Sequence, residues 1–147
     1  MNSSPPLQQK EQGATHVVAL DVGEKRVGVA AANSIARIAR PLTTLARDEL
    51  FWDKLKKMVA AEGVDMIVIG LPRNLNGQET AQTAAVREFG KQLSQSVDAE
   101  IAWQDETLSS VRAEEELIAR KKPYAKGDVD ALAATLILED YLNKFTF

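Results

Sequence analysis

The chain has 147 residues, 45% of them apolar and 27% charged, no cysteine and a net charge of −3. That length suits one compact domain, and the missing thiols exclude disulfides and thiolate metal sites and permit a reducing compartment. No apolar run reaches the ~20 residues of a membrane span, and a net negative chain binds nucleic acid only through local basic patches or bound cations.

Residues 1–14, "MNSSPPLQQKEQGA", are polar and aperiodic and read as a disordered tail, leaving 15–147 as a single domain. "HVVALDV" (16–22) reads as a central strand buried on both faces, and "RVGVAAA" (26–32) as its partner across a turn at Gly23-Glu24-Lys25. "SIARIARPLTTL" (34–45) alternates Ile35, Ile38 and Leu42 with polar residues and carries Pro41, which predicts an edge strand. The period then turns helical. Over 48–63, Phe51, Leu55, Met58 and Val59 form one stripe, with Asp48 as cap and Gly63 as stop.

"DMIVIG" (65–70) is a fourth strand and "LPRNLNGQ" (71–78) a turn-rich loop. Ala85, Val86, Phe89 and Leu93 mark a second helix over 79–96, and "AEIAWQ" (99–104) a fifth strand. A third helix spans about 110–121 with Ser109 as cap, a basic loop covers 121–127, and the last helix runs over 128–143 from Asp128. The order βββαβαβαα is that of an α/β protein. It predicts a mixed five-stranded sheet, antiparallel over the first three strands and parallel thereafter, flanked by helices.

Asp21 ends an otherwise apolar strand, Asp105 and Glu106 follow the fifth strand, and Asp130 shares a helix face with Ala133, Ala134 and Ile137. Ligands of parallel sheets gather beyond the carboxyl ends of the strands. Three carboxylates gathered there repel one another unless divalent cations lie between them, and Mg²⁺ is usually held by a few carboxylates plus substrate phosphates. Two such ions serve in-line phosphoryl displacement. Each acid also has an ordinary explanation: a turn residue at Asp21, a solvated loop acid at Glu106, a first-turn acid at Asp130.

Four blocks, "LDVGEKRVGVA", "VIGLPRNLNGQET", "WQDETLSS" and "VDALAATLILEDYL", together resemble the YqgF (RuvX) family, Holliday-junction-resolvase-like or pre-16S rRNA nucleases. The resemblance spreads over residues 17–143. It implies an RNase H-like fold and metal-dependent phosphodiester cleavage, with Asp21, Glu106 and Asp130 as catalytic residues and as ligands of Mg²⁺ or Mn²⁺. Its substrate would be precursor 16S rRNA, with branched DNA as the alternative and a cytoplasmic location; a homodimer is left open. The family usually carries Arg after its acid pair, whereas this chain has Thr107, which cannot contact phosphate bidentately and favours a rival reading as a non-catalytic nucleic-acid-binding module.

Lys25 and Arg26 lie close to Asp21, while Lys121, Lys122 and Lys126 precede Asp130 and Arg73 lies in the 71–78 loop. These six are the expected phosphate contacts, and Tyr124 is a stacking residue for a base or a packed loop tyrosine. Gly23 and Gly28 form G-x-x-x-x-G, but Val29 stands where a phosphate loop needs Lys. An ATPase of the actin and sugar-kinase type would need a second domain. His16 has no partner at ligand spacing, and Trp52 and Trp103 read as packing residues.

Overall fold

A computed structural model describes residues 14–106 and 108–144; Thr107 and all of the 1–14 tail except Ala14 lie outside the described residues. The strands are β1 (His16–Val22), β2 (Arg26–Asn33), β3 (Arg40–Ala46), β4 (Met66–Pro72) and β5 (Glu100–Glu106). The helices are α1 (Phe51–Ala61), α2 (Ala81–Ser96), α3 (Ser109–Ala119) and α4 (Lys126–Leu142). They make one sheet of order β3-β2-β1-β4-β5, antiparallel across β3-β2-β1 and parallel across β1-β4-β5.

Alternation along each strand splits the core into two layers. Val18, Leu20, Val22, Val27, Val29, Ile67, Ile69 and Leu71 face α1 and α2, where Phe51, Leu55, Val86, Phe89 and Leu93 cover them. Val17, Ala19, Ala30, Ala32, Met66 and Val68 face α4 through Ala134, Ile137 and Leu138. Helix α3 packs on the back of α4 through Ala113 and Leu117. Trp52 stacks on Phe89 at 5.2 Å between ring centroids, and the Trp103 ring fills the space a side chain at Gly90 would need, so both tryptophans pack.

Several boundaries differ from the sequence reading. The third strand starts at Arg40, because the Asn33 side chain accepts hydrogen bonds from the Ile35 and Ala36 N–H groups and turns the chain. Ile35 and Ile38, expected on an edge strand, are instead exposed at 74% and 72%. Ser109 does not cap α3. Leu108 takes that place in a left-handed conformation (φ 54°), and the buried Ser109 hydroxyl has no hydrogen-bond partner among the described residues. Asp128 is not the residue before α4 but its third, and its carboxylate accepts from the Ala125 N–H at 2.8 Å. On α2, Thr83 is buried where Ala85 was expected, its hydroxyl donating to the Pro72 carbonyl at 2.5 Å and tying the helix start to the end of β4.

Candidate active site

The site lies on the α4 face at the carboxyl ends of β1, β4 and β5. Asp21 continues the Val17–Ala19 row, so the alternation that buries those two aims its carboxylate at α4. Its partner across the antiparallel ladder is Gly28. A Cβ at Gly28 would stand 2.0 Å from the Asp130 carbonyl oxygen. Only glycine lets the first turns of α4 press onto β2 there, and that close approach brings Asp130 over the strand ends. The Thr44 hydroxyl on β3 donates to the Gly127 carbonyl at 2.7 Å and holds the start of the helix in place.

Glu106 arrives by a different route. It is not beyond the fifth strand but its last residue, paired with Pro72 of β4. Strand β4 separates β5 from β1, so a side chain on β5 has to cross it to meet Asp21. Gly70 provides the gap. A Cβ there would lie 3.6 Å from Glu106 Oε1 and 2.5 Å from Ile137 Cδ1, so the Glu106 carboxylate lies over a strand position that has no side chain. The role of Gly70 escapes a sequence reading, although a glycine within an otherwise bulky apolar strand is a visible signal.

Asp21 and Glu106 share a hydrogen bond, and Asp130 acts on Asp21 through space. Burial, then the Glu106 hydrogen bond, then the negative charge of Glu106 and Asp130 raise Asp21 from 3.8 to about 9. Asp21 therefore keeps its proton at neutral pH, next to the Glu106 carboxylate with which it shares a hydrogen bond. Asp130 has another partner: Arg26 Nε donates to its Oδ2 at 2.6 Å. Among the described residues no three His, Cys, Asp or Glu side chains stand at the spacing of one metal centre. The donor chemistry nevertheless fits a hard dication. A pair of carboxyl groups in contact, Asp21 and Glu106, is an all-oxygen donor set of the kind that suits Mg²⁺ completed by water and phosphate.

The six basic residues fall into two groups. Lys25, Lys121, Lys122 and Lys126 are exposed, on the β1–β2 hairpin and on the loop and first turn leading into α4. Arg26 and Arg73 are engaged with acids instead. Arg73 donates to Asp105 at 3.0 Å and lies 3.7 Å from Glu79, which separates the two neighbours on β5: Asp105 points to the opposite face with a cation, Glu106 to the Asp21 side. Asn74, in the same loop, accepts from the Asn76 and Gln78 N–H groups and builds the turn. Tyr124 is 38% exposed, with its hydroxyl 3.4 Å from Glu114.

The strand order and sense are those of the RNase H-like fold. Two solved structures share it: Thermus thermophilus RuvC in complex with Holliday junction substrate (TM-score 0.51, 13% identity, 88% of this chain and 96% of that chain) and fowlpox virus resolvase with its Holliday junction DNA (TM-score 0.54, 11% identity, 88% and 98%). At those identities the likeness is one of fold. Residues 15–144 match the RuvX family, described as Holliday junction resolvase, and the chain belongs to that family. Relatives named "Putative pre-16S rRNA nuclease" include one from Crocosphaera subtropica, 42% identical over 85% of this chain and 90% of its own length. Another, from Lactococcus lactis subsp. cremoris, is 37% identical over 86% and 93%. No helix among the described residues is long and apolar enough to cross a membrane.

Proposed function

We propose that this chain is a divalent-metal-dependent endonuclease that hydrolyses phosphodiester bonds in precursor 16S rRNA, with Asp21, Glu106 and Asp130 holding Mg²⁺ or Mn²⁺. One observation carries the reading. A half-buried carboxyl on a central strand touches a second that has crossed a glycine gap to reach it, with a third within electrostatic range. An arrangement that costs a raised pKa and two cleared glycine positions is hard to explain as three separate structural acids. The names of the relatives support the substrate, and a precursor-rRNA substrate in turn supports a cytoplasmic location.

When bound, the ion lowers the pKa of water and stabilises the charge that develops on the phosphate. The protein residues divide the remaining work. Asp21 would release its proton to solvent as the ion binds, and Asp21, Glu106 and Asp130 would hold the ion through their carboxylate oxygens. Buried surroundings fix the Asp21 rotamer and strengthen its electrostatic effect. Lys25, Lys121, Lys122 and Lys126 seat the backbone, setting its position without reading sequence.

The test incubates the purified protein with precursor 16S rRNA and with a four-way DNA junction, each with Mn²⁺ and with EDTA. Cleavage of the rRNA with Mn²⁺, absent with EDTA and in Asp21→Asn while binding persists, is the expected result. Cutting of the junction instead would transfer the substrate to branched DNA, the reading favoured by the family's description. Salt-sensitive binding with no cleavage under any metal would mark a non-catalytic binding module and end the enzyme reading.

A further inference from the structure

This inference deepens the metal-dependent reading of the acid cluster and rests on it. Asp130, the acid that α4 brings to the rim, is paired with Arg26 at 2.6 Å, although the two lie 104 residues apart in the chain. Both side chains keep contact with solvent, Arg26 at 36% and Asp130 at 19%. A half-exposed pair of this kind stabilises a fold only weakly. Helix α4 is already seated without it, by the close approach at Gly28 and the Thr44–Gly127 hydrogen bond. Docking the helix is therefore a poor reason for the pair.

Its electrostatic consequence is larger. A guanidinium does not lose its proton in a protein, so a dication that takes Asp130 as a ligand meets a fixed positive charge beside that carboxylate, and the repulsion is relieved when Arg26 turns away. Arg26 opens β2 next to the exposed Glu24–Lys25 hairpin, where a long side chain has room to turn outward. The ligand chemistry that suits the freed fork is a phosphate, which arginine binds through two parallel hydrogen bonds. The substrate backbone brings such groups to this rim.

We propose that Arg26 is a latch: it holds Asp130 in the substrate-free protein and passes to a substrate phosphate, so that nucleic acid and metal each tighten the binding of the other. Arg26 is in this sense a positioning residue, acting on the metal through Asp130. Linkage makes the coupling reciprocal, with the same factor in both directions.

The experiment measures Mn²⁺ binding to the full chain by electron paramagnetic resonance, with and without a phosphorothioate oligoribonucleotide. It compares wild type, Arg26→Gln, Asp130→Asn, the double variant and Asp21→Asn. Arg26→Gln is expected to bind Mn²⁺ about fivefold or more tightly than wild type in the absence of oligonucleotide. That gain should vanish in the Asp130→Asn background. The oligonucleotide should tighten Mn²⁺ binding in wild type by a similar factor and leave Arg26→Gln unchanged. Unaltered or weaker Mn²⁺ binding in Arg26→Gln overturns the latch, as does a gain that survives in Asp130→Asn, since only general charge would then be at work. If Arg26→Gln does not fold, Arg26→Lys serves in its place, and coupling equal to wild type would count against the latch. Mn²⁺ binding indifferent to Asp21→Asn would overturn the metal reading itself, whereas loss in Asp21→Asn with a silent Arg26→Gln removes the latch alone.

Discussion

The two faces of the sheet are made by the same strands and end in opposite ways. Toward α1 and α2, side chains stay large and apolar to the rim: Leu20 and Val22 on β1, Val27 on β2, Ile69 and Leu71 on β4. Toward α4 they shrink along the same direction, from Val17 through Ala19 to Asp21, from Ala32 through Ala30 to Gly28, and from Met66 through Val68 to Gly70. Where the first face closes with hydrocarbon, the second leaves a space that a helix backbone and three carboxylates occupy. A site of this kind is made by withholding side chains as much as by supplying acids.

Breaking the chemistry of the α4 face should have the largest effect. Asp21→Asn is expected to lower metal-dependent cleavage by on the order of 10²–10³-fold, measured on precursor 16S rRNA. The same change should stabilise the metal-free protein. Asp21 keeps its proton to about pH 9 in the native state but only to about 3.8 when unfolded, so the native state binds more protons in between. The stability from this group is complete below pH 4 and is lost as pH rises through 9; an asparagine, neutral throughout, abolishes that slope. Thermal unfolding in EDTA across pH 5–9 should show a decline in wild type and, at pH 8, a variant more stable by up to about 6 kcal/mol.

Filling the space is the next test. Gly28→Ala puts a methyl group against the α4 backbone, which has no flexible end to yield, and should cost about 3 kcal/mol or more by denaturant unfolding. The matching lesion on the other face, Leu55→Ala, should cost about 2–5 kcal/mol while leaving cleavage per folded molecule unchanged. Equal losses of activity from both lesions would erase the contrast between the faces. Gly70→Ala should be the mildest, about 1 kcal/mol, because the Ile137 side chain can move aside. Its mark should be on cleavage, about tenfold slower, through crowding of Glu106.

These variants also separate what could be read from residue order and what could not. The position of Asp21 at the end of an apolar strand and the inward face of Asp130 both follow from periodicity, a local property of the chain, whereas the need for glycine at 28 comes from the α4 backbone that lies against it. The strand and helix order follows from periodicity too. The start of β3 does not, because an asparagine side chain competes with the alternation that follows it. Nor do Gly70 beneath Glu106, the Asp21–Glu106 contact across β4, or the commitment of Arg26 to Asp130 and Arg73 to Asp105.

The amino-acid order by itself determined the order of strands and helices and the faces that Asp21 and Asp130 present. Only the tertiary structure decided which charges touch, because those distances depend on how closely α4 lies on β2 and on what β4 leaves out between its neighbours. Both are properties of packing between segments far apart in the chain, where a missing methyl group or a single ion pair shifts the outcome and no local pattern records it.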